Sequence, residues 1–84
     1  MEKIGAEITY PCRWLFKVIG HEETAMRRAI EHIAPADDAV VTLSNRSSNG
    51  RYQCLNLEMT VPDEAERNRI YLALKNHSQI IMVL

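Results

Sequence analysis

Residues 52–61 read YQCLNLEMTV, and apolar side chains alternate with polar ones along this stretch. Leu55, Leu57, Met59 and Val61 fall on one side of an extended strand, because successive side chains point to opposite faces. A strand that is apolar on one side only is typical of an antiparallel sheet with one buried and one solvated face. The stretch therefore predicts a sheet strand and indicates which side of it faces the core.

A hairpin and another predicted strand precede this stretch. Residues 39–44 (AVVTLS) are rich in β-branched residues, and Val41 and Leu43 are the expected inner pair. The polar loop that follows contains Asn49-Gly50, a strong signal for a tight turn. We therefore expect the two strands to pair directly.

A helix and a last strand follow the stretch. Asp63 is the expected N-cap of this helix, and Glu66 stands three residues later, as in a capping box. Residues 80–84 (IIMVL) predict a short apolar strand. The buried side of the helix is expected to comprise Ile70, Ala73 and Leu74.

The first half of the chain also runs from a strand into a helix. Residues 14–19 (WLFKVI), closed by Gly20, predict the strand. Its solvated face is expected to carry Leu15 and Ile19. The apolar spacing then changes to that of a helix, which Pro35 ends. The buried side of this helix is expected to comprise Met26, Ala29, Ile30 and Ile33.

The resulting order, β-α-β-β-α-β, predicts the α+β class. In so short a chain it indicates a ferredoxin-like βαββαβ split sandwich, a four-stranded antiparallel sheet with two helices on one face. The first and third strands are expected at the centre of the sheet, and the second and fourth at its edges. Residues 10–84 form the single predicted domain, preceded by an N-terminal arm of residues 1–9.

Composition limits the classes of function. The chain has 84 residues and a net charge of −1, which argues against a globally basic nucleic-acid binder. It has no run of about 20 apolar residues that would span a membrane, and no signal peptide at its start. Its two cysteines then predict reduced thiols in a cytoplasmic protein.

Cofactor and nucleic-acid sites of this topology find little support. Tyr52 alone does not make a platform on which RNA bases stack. Cys12 and Cys54 lack the Cys-x-x-Cys spacing of a copper chaperone, and the three histidines lie in separate segments. No metal and no other cofactor are therefore expected.

An acylphosphatase-like hydrolase is the remaining catalytic alternative, and it is a remote one. Arg27 would hold the phosphate after the first strand, and Asn45 would act from the second strand. Glu22 and Glu23 stand where the phosphate would bind and would repel it. We therefore expect no enzyme activity and no catalytic residues.

Two surfaces remain as candidate interaction sites. The hairpin places Arg46 and Arg51 around hydroxyl and amide side chains, which suits an anion or is simply a solvated turn. On the open face of the sheet, an apolar patch is expected where the first strand adjoins the fourth. This patch is either a partner surface or is covered by the arm through Ile4 and Ile8. It comprises Leu15, Ile19, Ile81 and Val83.

Several segments together resemble the YbeD-like family of small bacterial proteins of unknown function. Residues 10–20 (YPCRWLFKVIG) are similar to its opening, [YF]-P-x-x-[WF]-x-[FY]-[KR]-V-[MI]. Residues 47–55 (SSNGRYQCL) resemble its hairpin and third strand, S-[SK]-x-G-[KR]-[YF]-x-S-[VL]. The start of the second helix is similar to its [DN]-E-x-E-R-N-x-I, and residues 82–84 resemble its ending. Together the segments cover nearly everything from residue 10 onward.

The resemblance implies the same ferredoxin-like fold, a likeness to ACT regulatory domains that bind amino acids, and no established enzyme activity. In ACT-like pairs the ligand would lie near Gly20 and His21, at the turn into the first helix. In some relatives, genomic neighbourhood suggests a regulatory link to lipoate metabolism. The chain departs from the family in a shorter segment before Pro35, and in Cys54, which stands where serine is common.

These observations predict a non-enzymatic regulatory module that binds a small molecule or a protein. The protein partner would be a second copy of the chain or another protein. The alternative is a protein-interaction adaptor that acts through the open face of the sheet.

Overall fold

Six elements of secondary structure follow one another in the computed structural model, which describes residues 8–46 and 50–84. The strands are β1 (Cys12–Gly20), β2 (Val40–Arg46), β3 (Gln53–Val61) and β4 (Ile80–Val83). The helices are α1 (Glu23–Ile33) and α2 (Glu64–Lys75). This is the predicted βαββαβ order.

The strands form one antiparallel sheet in the order β2-β3-β1-β4. β1 and β3 are therefore central and β2 and β4 lie at the edges, as predicted, and the α+β fold is confirmed. Neither helix within the described ranges is long and apolar enough to cross a bilayer. The arm residues 1–7, with Ile4, and the turn residue Asn49 lie outside the described residues.

The core lies between the two helices and one face of the sheet. The apolar side of β3 is buried as its alternation predicts, and so are the inward residues Phe16 and Val18 of β1. Leu43 stands opposite the buried Leu55, so it lies on the inner side of the sheet as predicted. It is nevertheless exposed, because α1 leaves the outer part of β2 uncovered. The helices contribute Met26, Ala29, Ile30, Ile70 and Leu74 to the core.

Each helix begins at an acidic N-cap. The Asp63 carboxylate accepts a hydrogen bond from the Glu66 backbone N–H at 2.8 Å, as the sequence predicts. The Glu66 carboxylate accepts from the Arg69 side chain at 2.7 and 2.9 Å. At α1 the Glu22 carboxylate accepts from two backbone N–H groups of the first turn. Both helix starts are therefore held by carboxylates of the chain itself.

Asp38 joins the loop between α1 and β2 to the end of the sheet. Its carboxylate accepts from the Thr60 backbone N–H at 3.2 Å and forms an ion pair with Arg13 at 3.0 Å. Hydrogen bonding from Thr60, and then the charge of Arg13, lowers the pKa of Asp38 below its ordinary value of 3.8. Asp38 thus holds the chain against the end of the sheet just before β2 begins.

These contacts predict acid sensitivity that depends on Asp38. A lowered pKa in the folded state means that the unfolded state binds the proton more readily, so the stabilisation is present above about pH 4 and is lost as pH falls below it. Asp38→Asn is expected to lower the urea midpoint at pH 7 and to flatten its fall between pH 5 and pH 3. Asp37→Asn, the matched control, removes the same charge from the exposed neighbouring residue. If both variants show the same pH profile, the contacts of Asp38 are not the cause.

Candidate functional site

The solvated face of the sheet has a polar centre. Lys17 stands opposite Asn56, and its Nζ donates to the Asn56 Oδ1 at 3.3 Å. Ile19 stands opposite Cys54 two residues further along the same strands. Lys17 thus lies between Leu15 and Ile19 on this face of β1, and further apolar residues collect beside it on β4.

β4 joins β1 with an irregular register. Ile19 pairs with Met82, whereas the next residue, Gly20, pairs with Ile80. Ile81 is therefore an extra residue in β4, the arrangement of a β-bulge. Ile80 is buried in the core, while Ile81 and Met82 are each 48% exposed.

The predicted position of Val83 on the open face is wrong. Val83 stands opposite the buried Val18 and is only 6% exposed, because its side chain belongs to the core. Strict alternation would place it on the same face as Ile81, but the bulge shifts the phase of the strand by one residue. Met82 and Leu84 occupy the exposed positions instead. Counting every second residue back from the exposed Leu84 identifies Met82 as exposed too.

An apolar strip consequently runs along β1 and β4 on the open face. We call this set the apolar strip, and it comprises Leu15, Ile19, Ile81, Met82 and Leu84. Leu84 is 65% exposed, although its backbone exchanges two hydrogen bonds with Lys17, at 2.8 and 3.1 Å. The strip is therefore held by backbone pairing between β1 and β4, while all of its side chains except the half-buried Ile19 are exposed.

The turn between β1 and α1 contacts the base of the β2–β3 hairpin. His21 Nδ1 lies 2.8 Å from the carbonyl oxygen of Arg51, and Gln53 Nε2 donates to the His21 carbonyl at 3.0 Å. The rings of His21 and Tyr52 lie 5.1 Å apart, centroid to centroid. The turn and the hairpin are far apart in sequence. Through these contacts they form one corner of the molecule.

Glu23 fixes a second link at this corner. Its carboxylate accepts from Arg27 Nε at 2.9 Å and from Arg46 Nη2 at 3.0 Å. Hydrogen bonding from Arg27, with that from Arg46, lowers the pKa of Glu23 below its ordinary value. Arg46, predicted to hold an anion from solution, is thus paired with a carboxylate of the chain itself.

Gly20 is buried beneath other parts of the chain. A Cβ at this position would lie 2.7 Å from the Gln79 carbonyl oxygen and 2.8 Å from the Met26 Sδ. The glycine therefore allows β1 to approach α1 and the start of β4 closely. On this side Gly20 is covered by the chain, and a ligand contact at the turn remains a prediction.

The residues of the hydrolase alternative are also engaged. Arg27 binds Glu23 and donates to the Val41 carbonyl at 3.3 Å, and the Asn45 Oδ1 accepts from the Arg46 backbone N–H at 2.8 Å. Across the described ranges, no three His, Cys, Asp or Glu residues form a group that would hold a metal ion. Both cysteines are free thiols.

Fold and surface together define a small α+β split-sandwich domain with one open sheet face. Residues 5–84 match the family described as "Protein of unknown function (DUF493)". The match spans nearly the whole chain, so the chain belongs to this family. It confirms the family resemblance predicted from the sequence motifs.

Two curated bacterial relatives, both described as UPF0250 protein, support the assignment. The one from Chromobacterium violaceum is 30% identical over 79 residues, with 89% of each chain covered. The one from Hahella chejuensis is 32% identical over 87 aligned positions, covering 99% of this chain and 96% of the relative. This chain is thus similar to them along nearly its whole length.

Two solution structures of protein HP0495 from Helicobacter pylori share the fold. The first has a TM-score of 0.79 at 24% identity, covering 100% of this chain and 94% of that one. The second has a TM-score of 0.65 at 23% identity, covering 99% and 96%. At this level of identity the likeness shows the architecture of the chain.

Proposed function

We propose that this protein is a non-enzymatic binding module that pairs with a second copy of itself through β4 and the apolar strip. The observation that carries this proposal is the composition of an edge strand. Residues 80–84 contain neither charge nor proline, and three of their side chains are about half exposed or more. Natural edge strands are usually protected by lysine, proline or a cover, because unpaired backbone groups recruit another strand.

A second copy fits this edge better than an unrelated strand does. An antiparallel strand can pair with its own copy about a two-fold axis, so that each copy offers the same surface. The side chains of the strand are uncharged, so they meet those of a second copy without like-charge repulsion. Burying the exposed parts of Ile81, Met82 and Leu84 is worth on the order of 1 kcal/mol each.

Engaged side chains at the turn after β1 support a non-enzymatic role. The Glu22 carboxylate fills the anion position at the start of α1, and Arg27 and Arg46 are both bound to Glu23. A phosphate would have to displace carboxylates that are part of the chain. Breaking these contacts would make the free energy of phosphate binding less favourable.

A regulatory role linked to lipoate metabolism remains a prediction from the family resemblance. A small-molecule ligand near His21 is a prediction of the same kind. Neither competes with pairing, because the corner at His21 and the edge of β4 use different backbone groups. In this proposal the pair is the form in which such regulation would operate.

Sedimentation velocity at increasing concentration tests the pairing directly. The parent protein is expected to form a dimer in the micromolar range, and Met82→Lys is expected to raise the dissociation constant at least about tenfold, which corresponds to about 1.4 kcal/mol. Leu72→Lys is the matched control, because Leu72 is 51% exposed on α2, away from the apolar strip. It should leave the dissociation constant unchanged.

Two results would overturn the proposal. One is a parent protein that sediments as a monomer up to about 100 μM, where even weak pairs of copies associate. The other is a Met82→Lys variant that pairs as tightly as the parent. A monomer that instead binds a different protein through the apolar strip would replace self-association with the adaptor role.

A further inference from the structure

A groove lies between the C-terminal half of α1 and the edge strand β2. Its volume is about 510 Å³, within the range of pockets that bind ligands and peptide side chains. The groove exists because α1 leaves the outer part of β2 uncovered. Its floor is apolar and comprises Ile30, Ala34, Ala36, Ala39 and Val41.

The backbone beside this groove is open to strand addition. Lys17 exchanges both of its backbone hydrogen bonds with Leu84, so the alternation of antiparallel pairing can be followed across the sheet. Followed through β1 and β3, it places the N–H and C=O groups of Val41 and Leu43 on the outer edge of β2. The bond from Arg27 to the Val41 carbonyl agrees with this direction. The Val41 N–H and both groups of Leu43 thus face outward.

The rim of the groove is acidic. Glu31 and Asp37 line it and are exposed, and neither has an ion-pair partner among residues 8–46 and 50–84. Arg27 also lines the groove, and its guanidinium is turned to the Glu23 carboxylate in an ion pair at 2.9 Å. The lining thus carries two unpaired carboxylates against one paired guanidinium, and this acidic rim complements lysine or arginine.

We propose that this groove binds an extended, basic segment of a partner protein, which adds to the free edge of β2 as a fifth strand. Backbone pairing with Val41 and Leu43 would hold the segment, as in other cases of strand addition. An apolar side chain of the segment enters the groove, and a lysine or arginine reaches Glu31 and Asp37. β2 and β4 are opposite edges of the sheet, so this site does not depend on self-association.

Titration of the ¹⁵N-labelled protein with a synthetic peptide tests the site. The probe is the acetylated and amidated peptide KTVTKTV, whose lysine and valine side chains share one face of an extended strand. Its counterpart ETVTETV carries acids in place of the lysines. KTVTKTV is expected to shift the amide resonances of Val41 to Leu43 and of the groove lining. ETVTETV is expected to bind at least about fivefold more weakly, because two carboxylates face it.

Charge reversal at the rim tests the same contact from the protein side. The double variant Glu31→Lys, Asp37→Lys is expected to weaken the binding of KTVTKTV about fivefold and to strengthen that of ETVTETV. Both positions are exposed, so the fold should be retained, and the amide spectrum checks this. Glu64→Lys, an exposed carboxylate on α2, is the matched control and should change neither affinity.

Three outcomes would overturn the inference. The first is an absence of shifts at β2 with about 1 mM KTVTKTV, which excludes even weak binding. The second is equal binding of the basic and acidic peptides, which removes the role of the rim. The third is a set of shifts confined to β4, which would place the peptide at the other edge.

Discussion

Lysine in place of Val83 is expected to destabilise the protein by about 3–5 kcal/mol, because it would place a charge in the core without a partner. Val83 is only 6% exposed and stands opposite the fully buried Val18. Domains of this kind are stable by about 5–15 kcal/mol, so the loss is a large share of the total. Urea unfolding measures it through the fluorescence of Trp14, whose ring lies 4.5 Å from the Arg67 guanidinium carbon.

The same substitution one residue earlier is the control. Met82 is 48% exposed on the open face, so Met82→Lys is expected to cost less than about 1 kcal/mol. Both variants should be measured at a protein concentration low enough that pairing through β4 does not contribute. If Met82→Lys were the costlier of the two, the phase that the bulge gives to β4 would be wrong.

A methyl group at Gly20 is expected to cost about 1–3 kcal/mol, the usual range for overpacking a core. The added Cβ would meet the Gln79 carbonyl oxygen at 2.7 Å, and backbone gives way less readily than a side chain. The Met26 Sδ, at 2.8 Å, can move but would disturb the packing of α1. Chemical denaturation of Gly20→Ala measures the loss. The amide resonances of Gln79 and Met26 should shift with it.

Gly50→Ala makes the matched comparison, because its cost has another cause. Gly50 has a φ of 74° and no atom within 4 Å of an added Cβ. The left-handed backbone alone should cost about 1–2 kcal/mol, and the resonances of α1 should stay in place. A Gly20→Ala variant with parental stability and an unchanged spectrum would contradict the close approach of β1 to α1 and β4.

Most of the fold could be predicted because its signals are local. The alternation along residues 52–61 marks β3, and Asp63 caps α2 where the sequence places a capping residue. β4 is the exception, since its four residues are uniformly apolar and carry no alternation. The bulge at Ile81 arises from pairing with β1, which residues 80–84 do not reveal on their own. Strict alternation along β4 therefore predicts the wrong face for Val83.

The candidate site was less predictable because its contacts join distant segments. His21 and Arg51 lie 30 residues apart in sequence, and their contact depends on how the hairpin packs beside the turn. The pairing of Glu23 with Arg46 depends on the same packing. The groove between α1 and β2 depends on how far α1 extends across the sheet.

Among the described strands β4 comes latest in chain order, yet it pairs with β1, the earliest. Until residues 80–83 are synthesised, the edge of β1 that faces away from β3 is unpaired, and the core lacks Ile80 and Val83. The other elements can form before β4 pairs with β1. Partly synthesised chains therefore expose an incomplete sheet with an unpaired, aggregation-prone strand edge. Completing the sheet requires contact between the two ends of the described chain, the slowest kind of contact to form.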